Sequence, residues 1–292
     1  MSRIRILLLA AVALGATAVA AFALTGIRSN QGWTAELETV PTELTNLSGV
    51  AFDGEKLWLT PDGTGRIYRV DPVTGRTERE ITFPGRDAGG SAWDGRFLWQ
   101  LAYNDRKIYK LNVETGKVED VLPSPGKGRC SGVAFDGRYL GLANWEDERI
   151  YRIDPQRRGA VVSPLQSDFE TTGLVWDGRH LWNGIMVGAE IEHDAAAPPT
   201  GFVQQRDVKT NEILRVFSIP GVGPGTSEWV PGGEQADRFW WYDHFHGKVV
   251  RLDLEPEHGN LVPGTVLSLL ALNLLTVGVF ARASKSQAAR RD

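Results

Sequence analysis

Cysteine is nearly absent. Cys130 is the one thiol in 292 residues, so no internal disulfide can form, and the compartment has to be read from the ends of the chain. With no histidine beside it in sequence, Cys130 reads as a small buried apolar residue rather than a nucleophile. There is no G-x-S-x-G, no P-loop and no dinucleotide fingerprint at a strand–helix junction, so nothing points to a serine-hydrolase elbow or a nucleotide cradle. Long basic stripes are missing too: the net charge is −4 and the isoelectric point about 5.8, which excludes nucleic acid as a partner.

What the chain has is repetition. Residues 132–155 read GVAFDGRYLGLANWEDERIYRIDP, residues 49–72 read GVAFDGEKLWLTPDGTGRIYRVDP, residues 90–113 read GSAWDGRFLWQLAYNDRKIYKLNV, and Gly173 opens GLVWDGRHLWNG. The opening glycines, Gly49, Gly90, Gly132 and Gly173, recur with a period in the low forties, and the units alternate apolar and polar residues between turn signals. That is the pattern of a β-propeller blade of four short strands. In the first unit the spacing predicts strands over 49–52, 57–60, 67–70 and 77–83, with Asp53-Gly54 as a two-residue hairpin turn and Asp71-Pro72-Val73-Thr74-Gly75 as the turn into the outermost strand. A 42% hydrophobic content and ten Trp, among them the repeat positions Trp58, Trp99, Trp182 and Trp240, are ample for one repeat-built core.

A fifth, degraded unit is predicted over 228–233, 239–242 and 248–254, with no outermost strand of its own. Residues 33–40, WTAELETV, alternate like such a strand and are expected to pair with 248–254. The expectation is therefore an all-β fold: a five-bladed propeller over residues 33–254, closed by its N-terminal strand and flanked by two hydrophobic helices.

Arg3 and Arg5 precede an apolar run over 6–24, so residues 1–28 read as a signal peptide or a membrane anchor. Residues 261–281 are again apolar and precede Arg282, Lys285, Arg290 and Arg291. They read as a transmembrane helix with a basic cytoplasmic tail over 282–292, which places the propeller outside the cytoplasm.

Closure sends both ends of the propeller to one face, which also holds the Asp-Gly turns. The opposite, distal face carries the connections between second and third strands, where function is expected. Reading these loops in order gives Asp62; Tyr103 and Asn104; Asn144, Trp145, Glu146 and Asp147; residues 184–200 with Glu190, Glu192, His193 and Asp194; and Asp243, His244, Phe245 and His246. Carboxylates, amides and imidazoles beside aromatic rings suit a small polar molecule, a protein partner or a divalent cation at the channel. Zinc would need a ligand beyond His244 and His246, such as His193 or Asp194. The long fourth loop reads as a lid over the distal mouth.

The consensus G-[VSL]-[AV]-[FW]-D-G-x-x-L-W … [IV]-Y-[RK]-[IVL]-D-P-x-T-G, seen best over 49–75, resembles bacterial propellers of the YncE and NHL types, and above all the five-bladed plant-type glutaminyl cyclases, or glutamine cyclotransferases. The strongest local match is ANWEDERIYRIDP over 143–155, similar to that family's A-N-x-W-x-x-D-x-I-x-x-I-D-P. The resemblance implies a bacterial protein with substrate contacts at Asn144 and Trp145 and an acid/base role for Glu146; the two hydrophobic runs with their basic flanks then place it at the bacterial cytoplasmic membrane. The family's acidic residues are replaced at Ser48, Thr60-Pro61 and Cys130-Ser131. A membrane-tethered binding module is accordingly the first reading and a cyclotransferase-like enzyme the alternative.

Overall fold

The computed structural model describes residues 33–85, 87–144, 146–167, 170–186, 200–220, 227–229, 237–244 and 246–256. The two terminal hydrophobic runs, Trp145, Phe245 and residues 187–199 lie outside them, and with them Glu190, Glu192, His193 and Asp194. Among the described residues no helix is long and apolar enough to cross a membrane.

The chain begins with β1 (Trp33–Thr39) and then lays down blade one as β2 (Leu47–Phe52), β3 (Leu57–Pro61), β4 (Arg66–Val70) and β5 (Thr77–Thr82). Blade two is β6 (Ala88–Trp93), β7 (Leu98–Ala102), β8 (Lys107–Leu111) and β9 (Val118–Pro123). Blade three is β10 (Cys130–Phe135), β11 (Leu140–Asn144), β12 (Arg149–Asp154) and β13 (Ala160–Gln166); blade four is β14 (Glu170–Trp176), β15 (Leu181–Met186), β16 (Thr200–Arg206) and β17 (Ile213–Pro220). Blade five joins β18 (Ser227–Trp229), β19 (Asp237–Asp243) and β20 (Lys248–Pro256) to β1. All five sheets are antiparallel and four-stranded, and the inner strands β2, β6, β10, β14 and β18 touch in a closed circuit.

Closure runs from Trp33 opposite Pro256 to Thr39 opposite Val250. The outer edge of β20 is thereby covered along its length, as expected from the alternation of residues 33–40. Two boundaries move. Glu255 and Pro256 pair with Thr34 and Trp33 rather than leaving the blade, and the inner strand of blade five is Ser227–Trp229, short and shifted from 228–233.

The repeat glycines sit where neighbouring inner strands meet. A Cβ on Gly90 would come 2.9 Å from Val133 N, and one on Gly132 would come 2.9 Å from Leu174 N, so only hydrogen fits and the blades can converge. Outward from this axis, apolar layers form between blades: Ala51, Trp58, Ile67 and Ile81 pack with Phe83, Ala88, Leu98 and Tyr109 across the first seam.

The Asp-Gly turns are not two-residue hairpins. Four residues connect the strands: Asp53 N donates to Lys56 O at 3.0 Å, and Asp53 Oδ1 accepts the N–H groups of Glu55 and Lys56. Gly54 takes φ +97° inside that loop. A carboxylate that satisfies two turn N–H groups makes the longer loop as well defined as a tight turn. Its second oxygen reaches the blade: Trp58 Nε1 donates to Asp53 Oδ2 at 2.9 Å, Trp99 Nε1 to Asp94 Oδ2 at 2.8 Å, and Trp182 Nε1 to Asp177 Oδ2 at 2.6 Å. The D-G-x-x-L-W signature is therefore a clamp, with the Asp five residues before a buried Trp whose N–H it accepts.

Candidate functional site

The distal loops interlock between blades. At the end of β11, Asn144 is buried and used up locally: its Oδ1 accepts Asp147 N at 3.0 Å and its Nδ2 donates to Pro125 O at 3.3 Å. It caps the turn as an Asx residue does. Asp147 Oδ2 in turn accepts Lys127 N at 2.9 Å and the Tyr151 hydroxyl at 3.0 Å. Partial burial would raise the Asp147 pKa, but these donors outweigh it and hold the carboxyl below its usual value; burial and the same carboxylate raise that of Tyr151. Asn144 and Asp147 thus bind the turn after β11 to the loop that enters blade three over 124–129.

That loop needs its glycines. Gly126 has φ +78° and a Cβ there would lie 2.1 Å from Asp147 Oδ2; one on Gly128 would lie 2.5 Å from Glu146 Cβ. Arg106 Nη2 donates to Gly126 O, adding a strap from the blade-two loop.

With the loops locked, Arg129 is carried into the distal face. Its Nε lies 2.6 Å from Glu146 Oε1, its Nη1 lies 3.4 Å from Asn104 Oδ1, and its guanidinium carbon stands 4.9 Å from the centre of the Tyr103 ring. Asn104 Nδ2 donates to Asp87 Oδ2 at 2.8 Å. The Glu146 carboxylate raises the Arg129 pKa. The Arg129 side chain is 41% exposed and that of Glu146 34%, so both keep polar atoms open to solvent while packed in defined positions. Tyr103, Asn104 and Glu146 are thus brought together by Arg129, which the loop-by-loop reading passed over because it lies in the connection between blades. Its signal was the Pro-Gly-Lys-Gly run just before it.

The other candidates stand apart. Asp62 Oδ1 accepts Ala88 N at 2.9 Å and fastens the blade-one loop to blade two. In blade five, Asp243 is buried; its Oδ1 accepts His246 N and its Oδ2 lies 2.5 Å from His246 Nδ1. His244 stands edge-on to Tyr242 at 4.8 Å between centroids. Among the described residues no three His, Cys, Asp or Glu side chains converge as metal ligands. Gly184, Ile185 and Met186 belong to β15 and Thr200 opens β16, so the long connection of blade four is confined to 187–199. The Cys130 thiol is buried and pushed up to about 11, mainly by that burial, which keeps it protonated and unreactive at neutral pH.

No known protein family matches the chain, and no curated protein sequence does. Among solved structures, the hydrazine synthase of Kuenenia stuttgartiensis matches at 14% identity and a TM-score of 0.45, over 72% of this chain and 66% of that one. The glutaminyl cyclase of Myxococcus xanthus matches at 14% identity and a TM-score of 0.58, over 76% of this chain and 99% of its own. At that identity the likeness speaks for the fold, a β-propeller that the sheet order here resolves into five blades.

Proposed function

We propose that this chain is a membrane-tethered, extracytoplasmic propeller that binds a small polar molecule or a protein segment on its distal face. The supporting observation is the Tyr103–Arg129–Glu146 cluster: a half-exposed cation held over an aromatic ring and against a carboxylate, on loops pinned from both blades. An Arg fork prepositioned in this way offers directed donors at little ordering cost, and the Tyr ring supplies a flat wall. The hydrophobic runs over 6–24 and 261–281, each with its basic flank, support tethering at the bacterial cytoplasmic membrane. Thermal-shift screening of the purified chain against small polar metabolites, peptides and divalent cations tests the reading. A hit should be lost in Arg129→Ala and in Glu146→Gln, and a hit unchanged in both variants would overturn it. Added protease should digest the propeller on intact spheroplasts; protection would refute the topology.

The second reading, an enzyme of the cyclotransferase kind, is favoured by the fold shared with the Myxococcus xanthus glutaminyl cyclase. Glu146 would then act as general acid/base, since its carboxylate is half-exposed in the cluster. Ammonia release from a peptide with N-terminal Gln, abolished in Glu146→Gln, would establish it.

A further inference from the structure

The face of the Asp-Gly turns carries an outer layer of unmatched cations over blades three and four. The turns there expose Arg138, Arg157, Arg158, Arg179 and Lys209, whereas Glu212 is the one exposed acid among the described residues of those turns. The turn aspartates are tucked in and used up. Asp136 Oδ1 accepts the N–H groups of Arg138 and Tyr139, and its Oδ2 pairs with Arg152. Asp154 accepts Gln156 N, Asp177 accepts Arg179 N and the Trp182 indole, and Asp207 accepts the N–H groups of Lys209 and Thr210. None of the five exposed cations has an ion pair or a side-chain hydrogen bond among the described residues. In blade one, by contrast, Lys56 pairs with Asp71 and Glu78, and Arg69 with Asp53 and Glu55. The two basic blades meet on this face: Asp136 and Val208 line one small recess, which brings the turn of Arg138 next to that of Lys209.

We propose that this basic sector docks on the anionic phospholipid headgroups of the membrane that anchors the chain. The inference rests on the tethering put forward above and adds which side of the propeller lies against the lipid. The chain enters the propeller at Trp33 and leaves it at Pro256, paired with each other at the edge of this same face. Blade four adjoins that exit, since β14 touches β18 of blade five. Four residues separate Pro256 from the apolar run over 261–281, a reach of less than about 20 Å even when fully extended. The exit is therefore held within about a Debye length or two of the headgroups, where an exposed cation still gains from a negative surface. Guanidiniums suit phosphodiesters, because the planar fork donates to two phosphate oxygens at once. An approaching bilayer meets these forks first and the turn carboxylates only beneath them.

The test reconstitutes the full chain in nanodiscs of phosphatidylcholine, with and without phosphatidylglycerol. It reads energy transfer from a dye at Gln156→Cys, next to the arginines, to an acceptor on the lipid headgroups; Cys130 is buried and takes no label. Transfer is expected to rise by roughly twofold with phosphatidylglycerol, and the rise to vanish at molar salt and in the triple variant Arg157→Gln, Arg158→Gln, Arg179→Gln. Equal transfer in both lipids would overturn the proposal and leave the patch to an acidic protein partner; a rise that survives the triple variant would overturn it too. Tethering is judged separately, by an alkaline carbonate wash of membranes. A chain that washes off refutes the anchor, and the docking surface is then decided on the released chain. Sedimentation with phosphatidylglycerol vesicles that is lost in the triple variant supports the surface, and no sedimentation, or sedimentation unchanged in the variant, rejects it.

Discussion

The Asp53 carboxylate oxygen that accepts the Trp58 indole at 2.9 Å also accepts Arg69 Nε at 2.8 Å, so one side chain joins the turn, the buried ring and the third strand of its blade. Asp53→Ala leaves the indole N–H and two turn N–H groups without their acceptor. Loss of about 1–3 kcal/mol is expected, since a buried donor left unpaired costs its desolvation. Urea unfolding should show it, and Asp53→Asn should recover part, because its amide oxygen still accepts.

Two glycines with similar backbones should behave differently. Gly126 (φ +78°) and Gly137 (φ +90°) both sit in the left-handed region, but a Cβ on Gly137 meets nothing within 4 Å while one on Gly126 meets Asp147 Oδ2 at 2.1 Å. Gly137→Ala is expected to cost about 1 kcal/mol of backbone strain. Gly126→Ala should cost clearly more and loosen the Arg129 loop, read as faster amide exchange at Lys127 and Gly128.

Acid should strain the same loop. The Asp147 pKa is lowered in the folded chain, so its carboxylate contributes stability that is present above the unfolded value near 3.8 and is lost as pH falls toward the folded one. Asp53, Asp71 and Asp207 are lowered as well and add to the trend. Stability measured by denaturant should therefore fall below about pH 4. Asp147→Asn should be less stable at neutral pH yet show a shallower decline.

Gly141→Ala is expected to stabilise the chain by roughly 0.5–1 kcal/mol. Its Cβ enters ordinary contact at 3.8–3.9 Å and its backbone is not left-handed. A rise in the thermal midpoint checks this, and a fall would mean that the space beside Gly141 cannot accept even a methyl group.

Blade count and closure were legible because they rest on local, repeated demands: hydrogen at Gly90 and Gly132 where strands converge, and alternation over 33–40. The turns were misread in length because Asp-Gly is common to two-residue and four-residue connections, and only the carboxylate's bonds tell them apart. Asn144 has the residue type of a ligand contact, yet its amide is spent on Asp147 N and Pro125 O. Arg129 was invisible as a site residue for the opposite reason. Its importance comes from Tyr103 and Glu146, contributed by two different blades, and no spacing along the chain encodes that meeting.

Blade five borrows its outer strand from the beginning of the chain, and this sets an order of events during synthesis. Residues 33–39 are among the first of the domain to be made, and their partner Lys248–Pro256 is the last. Until that strand leaves the ribosome, the opening segment is an unsatisfied β-edge waiting beside an incomplete ring, open to pairing with another nascent chain. The final step of folding is thus a long-range capture, slow by topology, and the interval before it is when a chaperone would matter most to this protein.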